Sequence, residues 1–130
     1  HQTLRTENGI EYGDLPKFVD FNYVARVAKL EVAVLASLAS APAPPAHVRL
    51  LTKALDNNSQ LAWDASPAGR VAYYEVVWRS TILPNWTDSK KVGMETSVTL
   101  PVSKDNVVFG VRAVDAQGHR SIVVTPAPER

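Results

Sequence analysis

The stretch AYYEVVWRSTILPNW, residues 72–86, holds two patterns in succession. Tyr74, Val76 and Trp78 recur at every second position, the period at which a β-strand presents one face. Ile82-Leu83-Pro84-Asn85 then reads as a turn, and Trp86 opens a new run. Strand, turn, strand is the grammar of everything that follows His47. Short β-rich runs occupy residues 48–55, 59–65, 72–80, 86–92, 96–102, 106–114 and 120–126. DNN, SPAG, ILPN, KDN and DAQG separate them. A second clear alternation, Val107, Phe109, Val111 and Ala113, again implies one buried face per strand. Seven such strands at spacings of about 8–12 residues predict an all-β sandwich.

Upstream of His47 the pattern changes. SAPAPPA, residues 40–46, holds three prolines that cannot continue a helix and favour extended geometry, so it reads as a linker. Before it, residues 20–39 (DFNYVARVAKLEVAVLASLA) predict one long helix. Val24, Val27, Ala28, Leu35 and Leu38 recur at three- and four-residue spacing, whereas Arg26, Lys29 and Ser37 lie off that stripe. Asp20 is a good N-cap, and Val19 and Val24 are spaced as a hydrophobic staple. Residues 1–17 are polar, hold Gly9 and Gly13, and read as loop. The expected organisation is therefore a loop and helix over 1–39, a linker over 40–46 and a sandwich over 47–130. The fold class is mainly β, a seven-stranded sandwich preceded by one long α-helix.

Composition bounds the chemistry. The 130 residues include 14 basic and 13 acidic side chains, a net charge of +1, which gives no electrostatic case for nucleic acid or an anionic membrane. The absence of cysteine excludes disulfides, thiolate metal sites and cysteine nucleophiles from these residues. No run approaches the ~20 apolar residues of a membrane span. The first residues, HQTLRTENG, show neither an initiating methionine nor a signal-peptide core, as expected of a piece of a longer chain.

The β block resembles a fibronectin type III domain. The resemblance lies in LAWDAS with Trp63, in YYEVVWRS, and above all in FGVRAVDAQGHRS, residues 109–121. Val107 and Phe109 stand where that family carries a corner tyrosine, so the packing role is kept there without its hydroxyl. The first block resembles the C-terminal end of an M28-family zinc aminopeptidase, in which the final helix opens on Asp-Phe-x-Tyr-x-Ala-Arg. Asp20, Phe21, Tyr23, Ala25 and Arg26 match that phrase. The resemblance implies that His1 is the last zinc ligand, in a loop ahead of that helix. It also implies that the other ligands and the catalytic carboxylate lie upstream. On this reading the chain is a catalytically incomplete part of a secreted or periplasmic bacterial peptidase. Its zinc resides in the parent, and its partners are its own peptidase domain and peptide substrates. The alternative is a free-standing adhesion or carbohydrate-binding sandwich with a helical oligomerisation arm.

Outside His1 no catalytic or cofactor-binding residue is expected. Glu75, Asp64 and Asp115 form no carboxylate pair on spacing, and His47 and His119 are expected to be solvated. Lys90 and Lys91 with Arg79 read as a charged edge that blocks strand addition. Asn85-Trp86-Thr87 fits the N-glycosylation pattern, which a bacterial protein leaves unused. The helix stripe predicts a cover, supplied by the parent's peptidase domain, by a second copy or by the sandwich. Trp78 and Trp86 are expected to pack in the core or at its rim, leaving Ile82 and Leu83 to meet the peptidase domain.

Overall fold

A computed structural model of the chain describes residues 2–54, 56–67 and 69–129. It divides into two compact units, His1–Ala36 and Ser37–Arg130.

The first unit opens on a hairpin of β1 (Arg5–Glu7) and β2 (Ile10–Tyr12), where a loop was expected. Asn8 and Gly9 link them with φ of 51° and 79°, the left-handed pair that a two-residue hairpin turn requires. The Arg5 guanidinium stacks 4.7 Å from the centre of the opposing Tyr12 ring. A single 3₁₀ turn, Pro16–Phe18, leads to helix α1, Phe21–Ser40. Asp20 caps it as expected: Oδ1 accepts the Tyr23 N–H at 2.9 Å, and its carbonyl accepts the first helical bond from Val24. None of the helix residues is buried.

The second unit holds two sheets. One orders β7 (Ser97–Leu100), β4 (Ser59–Asp64), β3 (Ala46–Leu51) and β9 (Ala127–Glu129). The other orders β6 (Asp88–Gly93), β5 (Tyr73–Ser80) and β8 (Val107–Val114). The described residues thus form nine strands rather than the seven expected, because the β1–β2 hairpin adds two.

The last strand also falls elsewhere than expected. Residues 120–126 form only two isolated bridges to β8, Val114 with Arg120 and Val111 with Val124. The chain then crosses to the other sheet, where β9 runs parallel to β3. A three-residue strand containing Pro128 has no alternation to betray it, and its pairing depends on a partner nearly eighty residues earlier.

Alternation places the core. Val48, Leu61, Trp63 and Leu100 of the four-stranded sheet meet Tyr74, Val76, Phe109, Val111 and Ala113 of the other, all nearly solvent-free. Trp63 and Tyr74 pack edge to face, with centroids 5.6 Å apart and planes at 65°. Phe109 fills the core from β8. The hydroxyl that ties down a connection comes instead from Tyr74, which accepts the Ser66 N–H at 2.8 Å.

Candidate functional site

His1, the residue that the peptidase resemblance makes a zinc ligand, lies outside the described residues. Among those described, no three His, Asp or Glu side chains converge in a way that could hold a metal ion.

Of the two remaining histidines His47 is exposed, as expected, and His119 partly so, and each also pairs with a carboxylate. His47 Nδ1 lies 2.7 Å from Asp64 Oδ2, and Arg49 reaches the same carboxylate at 3.5 Å. His119 Nδ1 lies 2.8 Å from Asp115 Oδ2, inside the turn Asp115–His119. Burial raises the Asp115 carboxyl, but the His119 ring, the His119 and Gln117 N–H groups and the His119 charge together hold it below the usual carboxylate range. The nearby Ser121 is buried, with its hydroxyl bonded to the Ala113 N–H and the Ile122 carbonyl. It makes no nucleophile for this dyad. The pair closes a turn around Gly118, whose φ is 87°.

A second charged group lies on the outward face of β5. Glu75 is opposite Arg112 in the ladder and accepts two guanidinium bonds from it at 2.6 Å, with Arg120 at 3.7 Å. Its side chain is 12% exposed, so the carboxylate is neutralised by guanidinium groups within the sheet surface. Alongside, the Lys91 ammonium sits 4.1 Å from the centre of the Tyr73 ring. These contacts fix the β5–β8 and β5–β6 registers.

The two tryptophans divide between the faces of that sheet. Trp78 packs against the core, in phase with Tyr74 and Val76 as expected. Trp86 crosses the outward face at Gly110. A methyl on Gly110 would lie 3.3 Å from Trp86 Cη2, 3.4 Å from Val77 Cγ2 and well inside the Val123 side chain. The Arg79 guanidinium stacks on the same indole at 5.5 Å and donates to the Leu83 carbonyl. Ile82, on this pinned loop, is 87% exposed, and Leu83 is 41% exposed.

Helix α1, which runs across the boundary between the two units, carries an uncovered apolar surface. Phe21, Tyr23, Val24, Leu30, Val32, Val34, Leu35 and Leu38 of α1 are each at least half exposed. Glu31 sits within the stripe, four residues after Val27 and four before Leu35. Phe18, Val19 and Phe21, with Gly13 and Pro16, line a cavity of about 490 Å³ at the start of the helix.

No protein-family model matches the chain. It is 54% identical over 128 residues, 98% of its length, to a probable zinc metalloprotease of Pyrenophora teres f. teres. A probable zinc metalloprotease of Leptosphaeria maculans is 52% identical over 128 residues, and one of Pyricularia oryzae is 44% identical over 132. The chain spans only 26–30% of these relatives. They are fungal, against the bacterial origin expected from the sequence. Among solved structures, an Fn3-like protein from Clostridium thermocellum matches with a TM-score of 0.55 and 21% identity, covering 70% of this chain and 97% of that one. The fn3 domain of human collagen alpha-1(XX) matches with a TM-score of 0.51 and 27% identity, covering 70% and 90%. The fold is thus mainly β and Fn3-like, with one helix.

Proposed function

We propose that this chain is the C-terminal part of a secreted M28-type zinc aminopeptidase, in which residues 1–39 complete the peptidase domain. Residues 40–46 are then the linker and 47–130 an accessory fibronectin type III-like sandwich. The observation that carries the reading is the joint one at the helix. Similarity to a probable zinc metalloprotease runs through both units at 54% identity, and α1 presents an apolar stripe none of whose residues is buried. A free-standing adhesion or carbohydrate-binding sandwich does not account for identity that extends through the helix to relatives more than three times longer.

Zinc in such an enzyme supplies a water activated for attack on the N-terminal peptide bond. The described residues offer no donor set for it. This chain's contribution to the metal is the single imidazole of His1, and the parent domain holds the remaining ligands and the catalytic carboxylate. The Asp20 cap sets where helix α1 starts. Burying one Val or Leu side chain stabilises by about 1.5–3 kcal/mol, so several of them together hold the helix firmly against the peptidase sheet. The ion-paired, fully folded sandwich then acts as a rigid accessory for stability or substrate access.

The test is an aminopeptidase assay on full-length protein beside the 130-residue chain. Full-length protein is expected to cleave aminoacyl substrates, lose activity to a chelator and regain it with zinc, while the chain alone is inert. Chelator-resistant activity in the full-length protein contradicts the assignment.

A further inference from the structure

We propose that Asn85 is an N-glycosylation site whose glycan covers the apolar loop between β5 and β6. The inference rests on the reading that the protein is secreted. Asn85-Trp86-Thr87 has the acceptor pattern, in which the hydroxyl two residues on assists transfer to the asparagine amide. The fungal relatives remove the reason to disregard it, since eukaryotic secretory pathways carry out this modification.

The structure presents the motif as an acceptor needs it. Asn85 and Thr87 are exposed, outside any strand, and the Asn85 amide has no hydrogen-bond partner among the described residues. The loop is nevertheless fixed. Trp86 is seated over Gly110, Arg79 bonds the Leu83 carbonyl, and the Thr87 N–H bonds the Trp78 carbonyl at 3.2 Å. Asn85 therefore stands on the same pinned loop as Ile82, the most exposed of the large hydrophobic side chains described. The first sugars of a glycan there would lay their C–H faces on Ile82 and Leu83. This supplies the cover that a docked domain would otherwise provide.

A second match, Asn57-Asn58-Ser59, differs in the burial of its hydroxyl: Thr87 Oγ1 also donates, to Asp88 Oδ2 at 2.7 Å, but from an exposed side chain. Ser59 is fully buried at the start of β4, and its Oγ donates to the Val102 carbonyl at 2.7 Å.

In the transfer, Asn85 Nδ2 forms a bond to the anomeric carbon of an oligosaccharide carried on a polyprenyl diphosphate. The carbon–oxygen bond to the diphosphate breaks, the lipid diphosphate leaves with that electron pair, and the amide loses one proton to a transferase base.

The experiment expresses full-length protein in a fungal host in two forms, one with its own leader and one with an added secretion leader. Both carry Asn57→Gln, so that any glycan found in this segment reports Asn85. Peptide mapping before and after peptide-N-glycosidase is expected to show a glycan on the Asn85 peptide. It should be lost in Asn85→Gln and Thr87→Ala and kept in Thr87→Ser, with unchanged tryptophan emission in all three. An unmodified Asn85 peptide in the leader-driven protein overturns the inference, as does protection of the loop by the peptidase domain. Retention in the cell of the own-leader form, with Asn85 modified in the leader-driven form, overturns the secretion reading alone and leaves the acceptor assignment standing.

Discussion

Gly110→Ala tests the close approach of Val123 and Trp86 to β8. The added methyl would stand 3.3 Å from the indole and 3.4 Å from Val77, distances that small shifts can relieve. Against Val123 Cγ1 it would overlap outright, so the Val123 side chain, stiff at χ1, or the segment that carries it must shift. Overpacking of this kind costs about 1–3 kcal/mol, and the depth of the overlap argues for the upper end. Alanine restricts the unfolded chain more than glycine does, which returns about 0.4–1 kcal/mol. The net loss is about 2 kcal/mol, a fall in Tm of roughly 8–16 °C for a domain of this size. All three tryptophans, Trp63, Trp78 and Trp86, lie in the second unit, so fluorescence-detected unfolding of the chain follows that unit alone. Val123→Ala removes the obstructing methyl at a cost of about 1 kcal/mol, since the side chain is half-buried. In the double variant the two losses should fall short of their sum by about 1 kcal/mol or more. A Gly110→Ala effect below about 0.5 kcal/mol, or additive losses, refutes the packing argument.

Tyr74→Phe should cost about 1–2 kcal/mol in urea unfolding, because the Ser66 N–H loses its acceptor while the ring stays against Trp63. No loss would mean that water replaces the hydroxyl. Asp115 has a folded pKa below its unfolded value, so its stabilisation is present above the ordinary carboxylate range, near pH 4, and disappears as pH falls through the folded pKa. Asp115→Asn should therefore destabilise the sandwich at pH 7, with the gap to the parent closing in acid; a gap that widens there contradicts the turn's electrostatics. Leu35→Asp should leave the 130-residue chain within about 0.5 kcal/mol of the parent, because Leu35 is 64% exposed. In the full-length protein the same change should cost at least about 1.5–3 kcal/mol in thermal unfolding; equal effects in both would place nothing over that face.

Much of this was readable from local signals. The Asp20 cap and the three- and four-residue spacing located α1, and alternation placed Tyr74, Val76 and Trp78 on the core face. The β1–β2 hairpin also had its signal, Asn8-Gly9, but the polar surroundings hid it because neither strand buries a side chain. Other features are properties of the folded pairings alone. Nothing local marks Ala127–Glu129 as the neighbour of β3. Gly110 reads as an ordinary gap in a strand until Trp86 arrives from β6's side of the sheet. His47 reaches its carboxylate at an irregularity within β3, at a φ of 45°, and His119 reaches its own across a turn. The proposed metal ligand was legible only as a family phrase around Asp20, since one imidazole has no chemistry that sequence spacing could reveal.

Hydrogen exchange across α1, compared between full-length protein and the isolated 130-residue chain at low concentration, reads whether a peptidase domain covers the helix. If residues 21–40 complete a peptidase domain, their amides exchange at fraying-helix rates in the isolated chain and near the global unfolding limit in the full-length protein. Equal, rapid exchange of the helix in both would contradict it.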